Sequence, residues 1–311
     1  MKTNISLILI LCLLLGACKN GNASSQSKSE TPQDTIKAIK MPAIPQMMTA
    51  PEQRADFLAK HYWDNVNFAD TNYIHHPEVT EQAWADYCDL LNHVPLETAQ
   101  QAMRNVIDRT NVDKKVFTYI TDLADKYLYD PNSPMRNEEF YIPVLEAMIA
   151  SPVLNETEKI RPQARLKLAQ KNRIGTKALN FTYTLASGAQ GSLYQLKAEY
   201  LLLFINNPGC QACTETIEGL KNAPIINQLL QEKKLVLLSI YPDEELDEWK
   251  KHLSEFPNEW INGYDKKFTI KEEQVYDLKA IPTLYLLDKD KTVLLKDAPA
   301  PAIEAYLMQH Q

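Results

Sequence analysis

Cysteine is scarce, five residues in 311, which is too few for a domain held by a disulfide framework; a thiol pair that stands out by its spacing therefore reads as a local device. Basic charge is also short. Lys plus Arg number 33 against 40 Asp plus Glu, a formal net charge of -7, and this balance leaves no electrostatic footprint for nucleic acid or an anionic lipid surface. The apolar run at the amino terminus, Ile5 to Leu15 broken only by Ser6, is about half the roughly 20 residues that a bilayer-crossing helix needs. Following Lys2, it reads as an export signal. Between about residues 50 and 175 there is no internal repeat, no glycine-rich phosphate loop and no nucleophile elbow, so no chemistry is legible in that stretch.

The signal run ends in Leu15-Gly16-Ala17-Cys18, which resembles the bacterial lipobox. The resemblance implies cleavage before Cys18 and a diacylglycerol on its sulfur; the alternative is an incidental cysteine after an ordinary signal peptide. On the first reading residues 1–17 are removed, Cys12 leaves with them, and Cys88, Cys210 and Cys213 remain as free thiols. Membrane attachment is then a property of the lipid, at about 0.8 kcal/mol per buried methylene. Residues 18–49, with Ser24, Ser25, Ser27 and Ser29 and then Pro32, Pro42 and Pro45, have little apolar mass to bury and read as a flexible tether.

A helical domain is expected over residues 50–175. Thr49-Ala50-Pro51-Glu52 has capping-box spacing and predicts a helix from about Ala50 to Asn67. A second helix, about Thr80 to His93, puts Trp84, Tyr87, Cys88 and Leu91 on one apolar face and Cys88 in a core as an inert thiol. Further helices are expected over Leu96–Asp108, around Val116–Tyr127, over Asn137–Ala150 and over Asn155–Asn172, with Gly175 as a stop. His75-His76 beside Pro77 reads as a solvated turn, and the aromatics Tyr62, Trp63, Trp84 and Tyr87 as core.

From Thr176 the period changes. Phe181, Tyr183 and Leu185 alternate, with Tyr194 and Leu196 as the expected hairpin partner. Tyr200–Ile205 is a continuous apolar run, the pattern of a strand buried on both faces. It leads through Asn206-Asn207-Pro208-Gly209 into Cys210-Gln211-Ala212-Cys213 and a helical pattern, so the CxxC falls where a central strand turns into a helix. The amides and partial positive charge of a helix start stabilise a thiolate at Cys210, the expected nucleophile. Cys213, one turn on and in line with Ile217 and Leu220, points inward and resolves the mixed disulfide. A second apolar strand, Leu235–Tyr241, is followed by a helix through Leu246, Trp249 and Leu253 that Pro242-Asp243 is expected to cap. Asn222-Ala223-Pro224 reads as a fresh helix start before that strand. Ile281-Pro282 then leads into a strand through Leu287 whose hairpin mate is Thr292–Leu295, and a helix over Ala302–His310 closes the chain.

This order, with the CxxC after the first core strand and Ala280-Ile281-Pro282-Thr283 before the hairpin, resembles the thioredoxin fold and, more narrowly, its extracytoplasmic TlpA and ResA-like branch, over about residues 178–311. The resemblance implies a cis Ile281-Pro282 bond lying against the Cys210-Cys213 pair, where an extended substrate strand docks. The expected fold class is thus α+β in two domains, an all-α amino-terminal domain followed by a thioredoxin-like α/β domain, residues 176–311, with a mixed central sheet. The whole architecture also looks like lipoproteins of the Bacteroidetes. It implies a lipid-anchored thiol-disulfide oxidoreductase of the cell envelope, on the periplasmic face or cell surface of a Gram-negative bacterium. Its substrates are protein or peptide thiols and disulfides, it needs a redox partner to recycle it, and it calls for no cofactor, metal or nucleic acid. The sequence departs from the family pattern at Gly209, where a tryptophan is usual, and at Phe204, where a buried polar residue often stands. Three other readings compete: a zinc site, which lacks two further ligands, a permanent structural disulfide, and a non-catalytic thioredoxin-like lipoprotein that binds a peptide, protein or other envelope ligand.

Overall fold

Proline opens the first two helices, because its fixed φ suits the first turn and its missing N–H is not needed there. The computed structural model describes residues 38–310; the expected signal segment, Cys18 and most of the tether lie outside the described residues. Helix α1 spans Pro51–His61 with Ala50 at its N-cap and no side-chain cap. The expected capping box at Thr49 is therefore not formed, and the helix stops short of Asn67. Beyond His61 the chain closes in tight turns, Asp64 N–H to the His61 carbonyl and Val66 N–H to the Trp63 carbonyl, both at 3.0 Å, and the Arg109 guanidinium takes the Trp63 carbonyl at 3.0 Å. Helix α2 is Pro77–Leu91, starting earlier than Thr80, and buries Trp84, Tyr87, Cys88 and Leu91.

Helices α3 (Leu96–Arg109) and α4 (Lys114–Ala124) follow. A π-helical turn, Asp125–Tyr129, extends α4. Helix α5 is Glu138–Ala150, capped by the Asn137 side chain, and α6 is Glu156–Ala169, where Asn155 and Glu158 form a full capping box. The last turn expected before Gly175 is not helical. The chain turns at Asn172, φ 50, a left-handed position that asparagine tolerates, and the Asn172 amide donates to the Val275 carbonyl at 2.7 Å while its oxygen accepts from Leu179 N–H at 2.7 Å. The helices enclose one apolar core. The rings of Tyr62, Trp63, Trp84 and Tyr87 pack together inside it, with Trp63 and Tyr87 centroids 5.6 Å apart, and burial pushes the Cys88 thiol up to about 12. His75 ends a short 3-10 turn, and His76 pairs through Nδ1 with Glu78 at 3.1 Å.

The second half begins with β1 (Thr182–Leu185) and β2 (Gln190–Ser192). Tyr194 and Leu196 are not in the hairpin: Leu193–Gln195 is a 3-10 turn closed by Ser192 and Gln195. Then come β3 (Tyr200–Ile205), α7 (Gln211–Lys221), α8 (Pro224–Gln231) and β4 (Leu235–Tyr241). Helix α9 is Leu246–His252 with Glu245 at its N-cap. Asp243 does not cap it, because its carboxylate is held by Asn207 at 2.9 Å and Lys271 at 2.7 Å. Strand β5 (Ile261–Tyr264) and the short α10 (Thr269–Glu272) lie between α9 and the hairpin of β6 (Thr283–Asp288) and β7 (Val293–Lys296). Helix α11, Ala300–Gln309, closes the described chain.

The seven strands form one mixed sheet in the order β2-β1-β5-β4-β3-β6-β7. Strands β3, β4 and β5 run parallel and β6 runs antiparallel to β3, so the apolar strands β3 and β4 lie inside and helices cover both faces, as the continuous hydrophobic runs require. One apolar cluster gathers around Leu202, Phe204 and Leu237 under α7, α8 and α11, and the other around Leu201, Leu203 and Leu238 on the opposite face. Tyr183 sits opposite Gly191 across the β1–β2 pair. A Cβ at Gly191 would lie 2.6 Å from the Tyr183 ring, so Gly191→Ala is expected to cost about 1–3 kcal/mol by urea unfolding; an unchanged midpoint would mean that the ring steps aside freely.

The segment joining the two halves is itself paired with the sheet. Gly175 N–H reaches the Val293 carbonyl at 2.8 Å, Val293 N–H the Thr176 carbonyl at 2.9 Å, and Ala178 N–H the Lys291 carbonyl at 2.8 Å. The described residues form a single compact unit, and the helical half and the sheet are parts of one body.

Candidate active site

The register of the sheet assembles the site. Ile205, the last residue of β3, pairs with Thr283, the first of β6, so the residues just after β3 and just before β6 meet at the same edge, beyond the carboxyl ends of the parallel strands. On one side is Cys210, half-buried, at the N-cap of α7; on the other is Ile281-Pro282, whose peptide bond is cis. The Cys210 Sγ donates to the Ile281 carbonyl at 3.8 Å. Gly209, immediately before it, has φ 72. This is a backbone reason for the departure from tryptophan there: a Cβ at Gly209 would meet no atom within 4 Å, so the cost of adding one is conformational.

Cys213 lies on the inward face of α7 with Ile217 and Leu220 and is 2% exposed. Burial pushes its thiol up to about 12; the Asn207 main chain pulls the other way, and hydrogen bonding and charge at Cys210 add to the rise. The two sulfurs therefore differ in access, and burial makes the inner thiol, Cys213, harder to ionise. Phe204 is fully buried under α7, edge-on to Trp260 at 6.3 Å, and supplies no proton acceptor. Buried polar groups near this end of the sheet come instead from Asn206, whose amide donates to Ser239 Oγ at 2.8 Å, and the Asn207–Asp243–Lys271 chain runs beside them, half-buried at Asn207 and Asp243 and exposed at Lys271. Among the described residues no group of three or more His, Cys, Asp or Glu could hold a metal.

A charge network between the helical half and the thioredoxin-like half, which the sequence reading misses, adjoins this site. Lys279, two residues before Ile281, bonds Glu138 at 2.6 Å, Asp277 at 3.0 Å and Asp297 at 3.7 Å. Lys296 also pairs with Glu138 and donates to the Lys171 carbonyl at 2.7 Å, while Arg136 donates to the Asp297 carbonyl. Burial alone would push the Lys279 ammonium down; Glu138, Asp297 and Asp277 overcome it and hold it above its ordinary value. Burial pushes the Asp297 carboxyl up, against the pull of Lys279 and Arg136. The N-terminus of α5 thereby grips the irregular segment that leads into Pro282. Between these parts lies a cavity of about 840 Å³ that runs from the exposed face of α7 at Ala212, Glu215 and Thr216 past Ile281-Pro282 to the stretch from Leu128 to Glu139.

Residues 17–172 match the family described as a Domain of unknown function (DUF5106), and residues 198–293 match a family described as Thioredoxin-like. Curated proteins give no match. Among solved structures, a thioredoxin-like protein from Bacteroides caccae is 83% identical with a TM-score of 0.87, covering 89% of this chain and 100% of its own. The C-terminal domain of an uncharacterised protein from Bacteroides fragilis is 69% identical, with a TM-score of 0.44, covering 44% of this chain and 98% of its own. The thioredoxin domain of a thiol-disulfide oxidoreductase from Bacteroides vulgatus is 19% identical, with a TM-score of 0.40, covering 44% of this chain and 97% of its own. With a CxxC at the strand-to-helix turn, a proline loop facing it and a relative this similar along nearly its whole length, the chain belongs to the thioredoxin-like proteins, in a two-part form with a DUF5106 helical half.

Proposed function

We propose that the protein is a thiol-disulfide oxidoreductase of the cell envelope, tethered to the membrane through a lipid on Cys18. The observation that carries this reading is the asymmetry of the sulfurs: Cys210 half-buried at the start of α7 beside the Ile281 carbonyl, and Cys213 behind it, buried, its thiol raised by that burial. Cys210 Sγ, as thiolate, attacks one sulfur of a substrate disulfide and expels the other as a thiolate. Cys213, deprotonated in turn, attacks Cys210 Sγ; the second substrate thiolate leaves, and a Cys210–Cys213 disulfide remains. The substrate has gained two electrons and the protein has lost them, so a dithiol or an envelope redox partner must return them. Ile281 and Pro282 position the substrate strand, and no organic cofactor or metal takes part.

The test is a redox titration of the pair in the full chain, read by thiol alkylation across dithiothreitol ratios. A potential above about -300 mV is expected, within reach of exchange partners; one well below it would make the pair a permanent structural bridge and remove the catalytic reading.

A further inference from the structure

The helical half supplies a wall of the proposed site. The Arg136–Asp297 bond and the Glu138–Lys279 and Glu138–Lys296 pairs fix the stretch after the π-helical turn against the loops that follow β7 and precede β6. Five prolines line the resulting cavity: Pro131 and Pro134 from the helical side, and Pro282, Pro299 and Pro301 from the other. Proline has no N–H to offer and a fixed φ, so these walls are preformed and poor in donors. Ile174, in the joining segment, also lines the cavity and is 52% exposed, an uncovered apolar side chain beside the loop that faces Cys210. The charged groups of the wall are engaged with one another: Glu138 with Lys279 and Lys296, Glu139 with Arg173. What remains open to a ligand is largely apolar, apart from Glu215 on the α7 side, an exposed carboxylate that accepts from Gln211 at 2.9 Å and has no cationic partner among the described residues.

We propose that this wall, from Tyr129 to Glu138 together with Ile174, makes the helical half the substrate selector, restricting the groove beside Cys210 to an extended, cysteine-bearing peptide segment without acidic flanks. This rests on the oxidoreductase reading above and names its substrate class. A cavity of about 840 Å³ is the size of an enclosed ligand site and takes a few extended residues. A folded partner needs roughly 800 Å² of matching surface per side, which a groove walled on both sides does not present. Acidic flanks would meet the unpaired Glu215 and be desolvated against apolar walls whose other ions are already paired.

The experiment uses the full chain and four substrates. Three are short peptides whose cysteine carries a methyl disulfide, flanked by alanine and leucine, by glutamate, or by lysine; the fourth is a disulfide in a folded protein. The apolar peptide is expected to show a KM roughly tenfold below the glutamate-flanked peptide, with the lysine-flanked one between them, and a kcat/KM at least roughly tenfold above that of the folded protein. Ile174→Glu should raise KM for the apolar peptide and lower it for the lysine-flanked one, a reordering that misfolding cannot produce. The same peptides with serine for cysteine, followed by calorimetry, should give Kd values in the same order without any redox step. Equal values across the flanks, or an Ile174→Glu variant with the wild-type order, would overturn the selector. If hydroxyethyl disulfide is not turned over by wild type while the calorimetric order holds, the oxidoreductase reading fails and the selective groove stands.

Discussion

Serine in place of Cys210 is expected to lower disulfide exchange by on the order of a thousandfold or more, because a hydroxyl in that position ionises far less than a thiol and Cys213 is placed behind it rather than beside the substrate. Cys213 is 2% exposed and its thiol is raised to about 12, so it should not substitute as attacker near neutral pH. Cys213→Ser has the complementary outcome. Cys210 still attacks, the mixed disulfide is not resolved, and the trapped partner should be visible on a non-reducing gel and released by dithiothreitol. Iodoacetamide should accordingly modify Cys210 before Cys213 in the folded chain. Equal turnover by wild type and Cys210→Ser would defeat the catalytic reading, whereas partners retained without any covalent adduct would indicate a binding protein on the same fold.

Glu138→Ala is expected to destabilise the protein by about 3 kcal/mol, near the lower end of the range for breaking a buried ion pair from one side. The lost carboxylate serves two ammonium groups, Lys279 and Lys296, whose side chains are 5% and 6% exposed. Asp277 at 3.0 Å and Asp297 at 3.7 Å still face Lys279, and the Lys171 carbonyl still accepts from Lys296, which keeps the loss from reaching the top of that range. Glu138→Gln should lose less, since an amide oxygen can still accept a hydrogen bond. Urea unfolding of both variants gives the answer, and a loss for Glu138→Ala below about 1 kcal/mol, the value of an exposed pair, would refute the role given to this network.

Much of the thioredoxin-like half was legible because its signals are local. Tyr200–Ile205 and Leu235–Tyr241 are apolar without alternation, and burial on both faces is what such runs demand. The placement of Cys210 at a helix start and of Ile281-Pro282 before a strand followed from their neighbours in the chain. Strand β5 was illegible for a physical reason: Asn262-Gly263 reads as a turn, yet Gly263 is in a strand where an added Cβ would come within 3.0 Å of Tyr183 and 3.2 Å of the Thr184 carbonyl. The α9 cap was misread because Asp243 has stronger partners, Asn207 and Lys271, that no spacing rule reveals. The charge network was out of reach for the same cause. Glu138, Asp277, Lys279, Lys296 and Asp297 come from separate segments and meet only once the two halves are folded.

The pairing of residues 175–178 with Thr176's and Ala178's partners on the far side of the sheet, Val293 and Lys291, bears on how the molecule avoids its own kind. Strand β7 ends the sheet on that side, and a bare margin of main-chain donors and acceptors is a template on which further copies can stack. Part of that margin is occupied by the chain's own connecting segment, which acts as a selvedge. A shortened form beginning after Ala178 would leave it unhemmed, and fibrous or amorphous self-association would then be a property of the cut rather than of the protein.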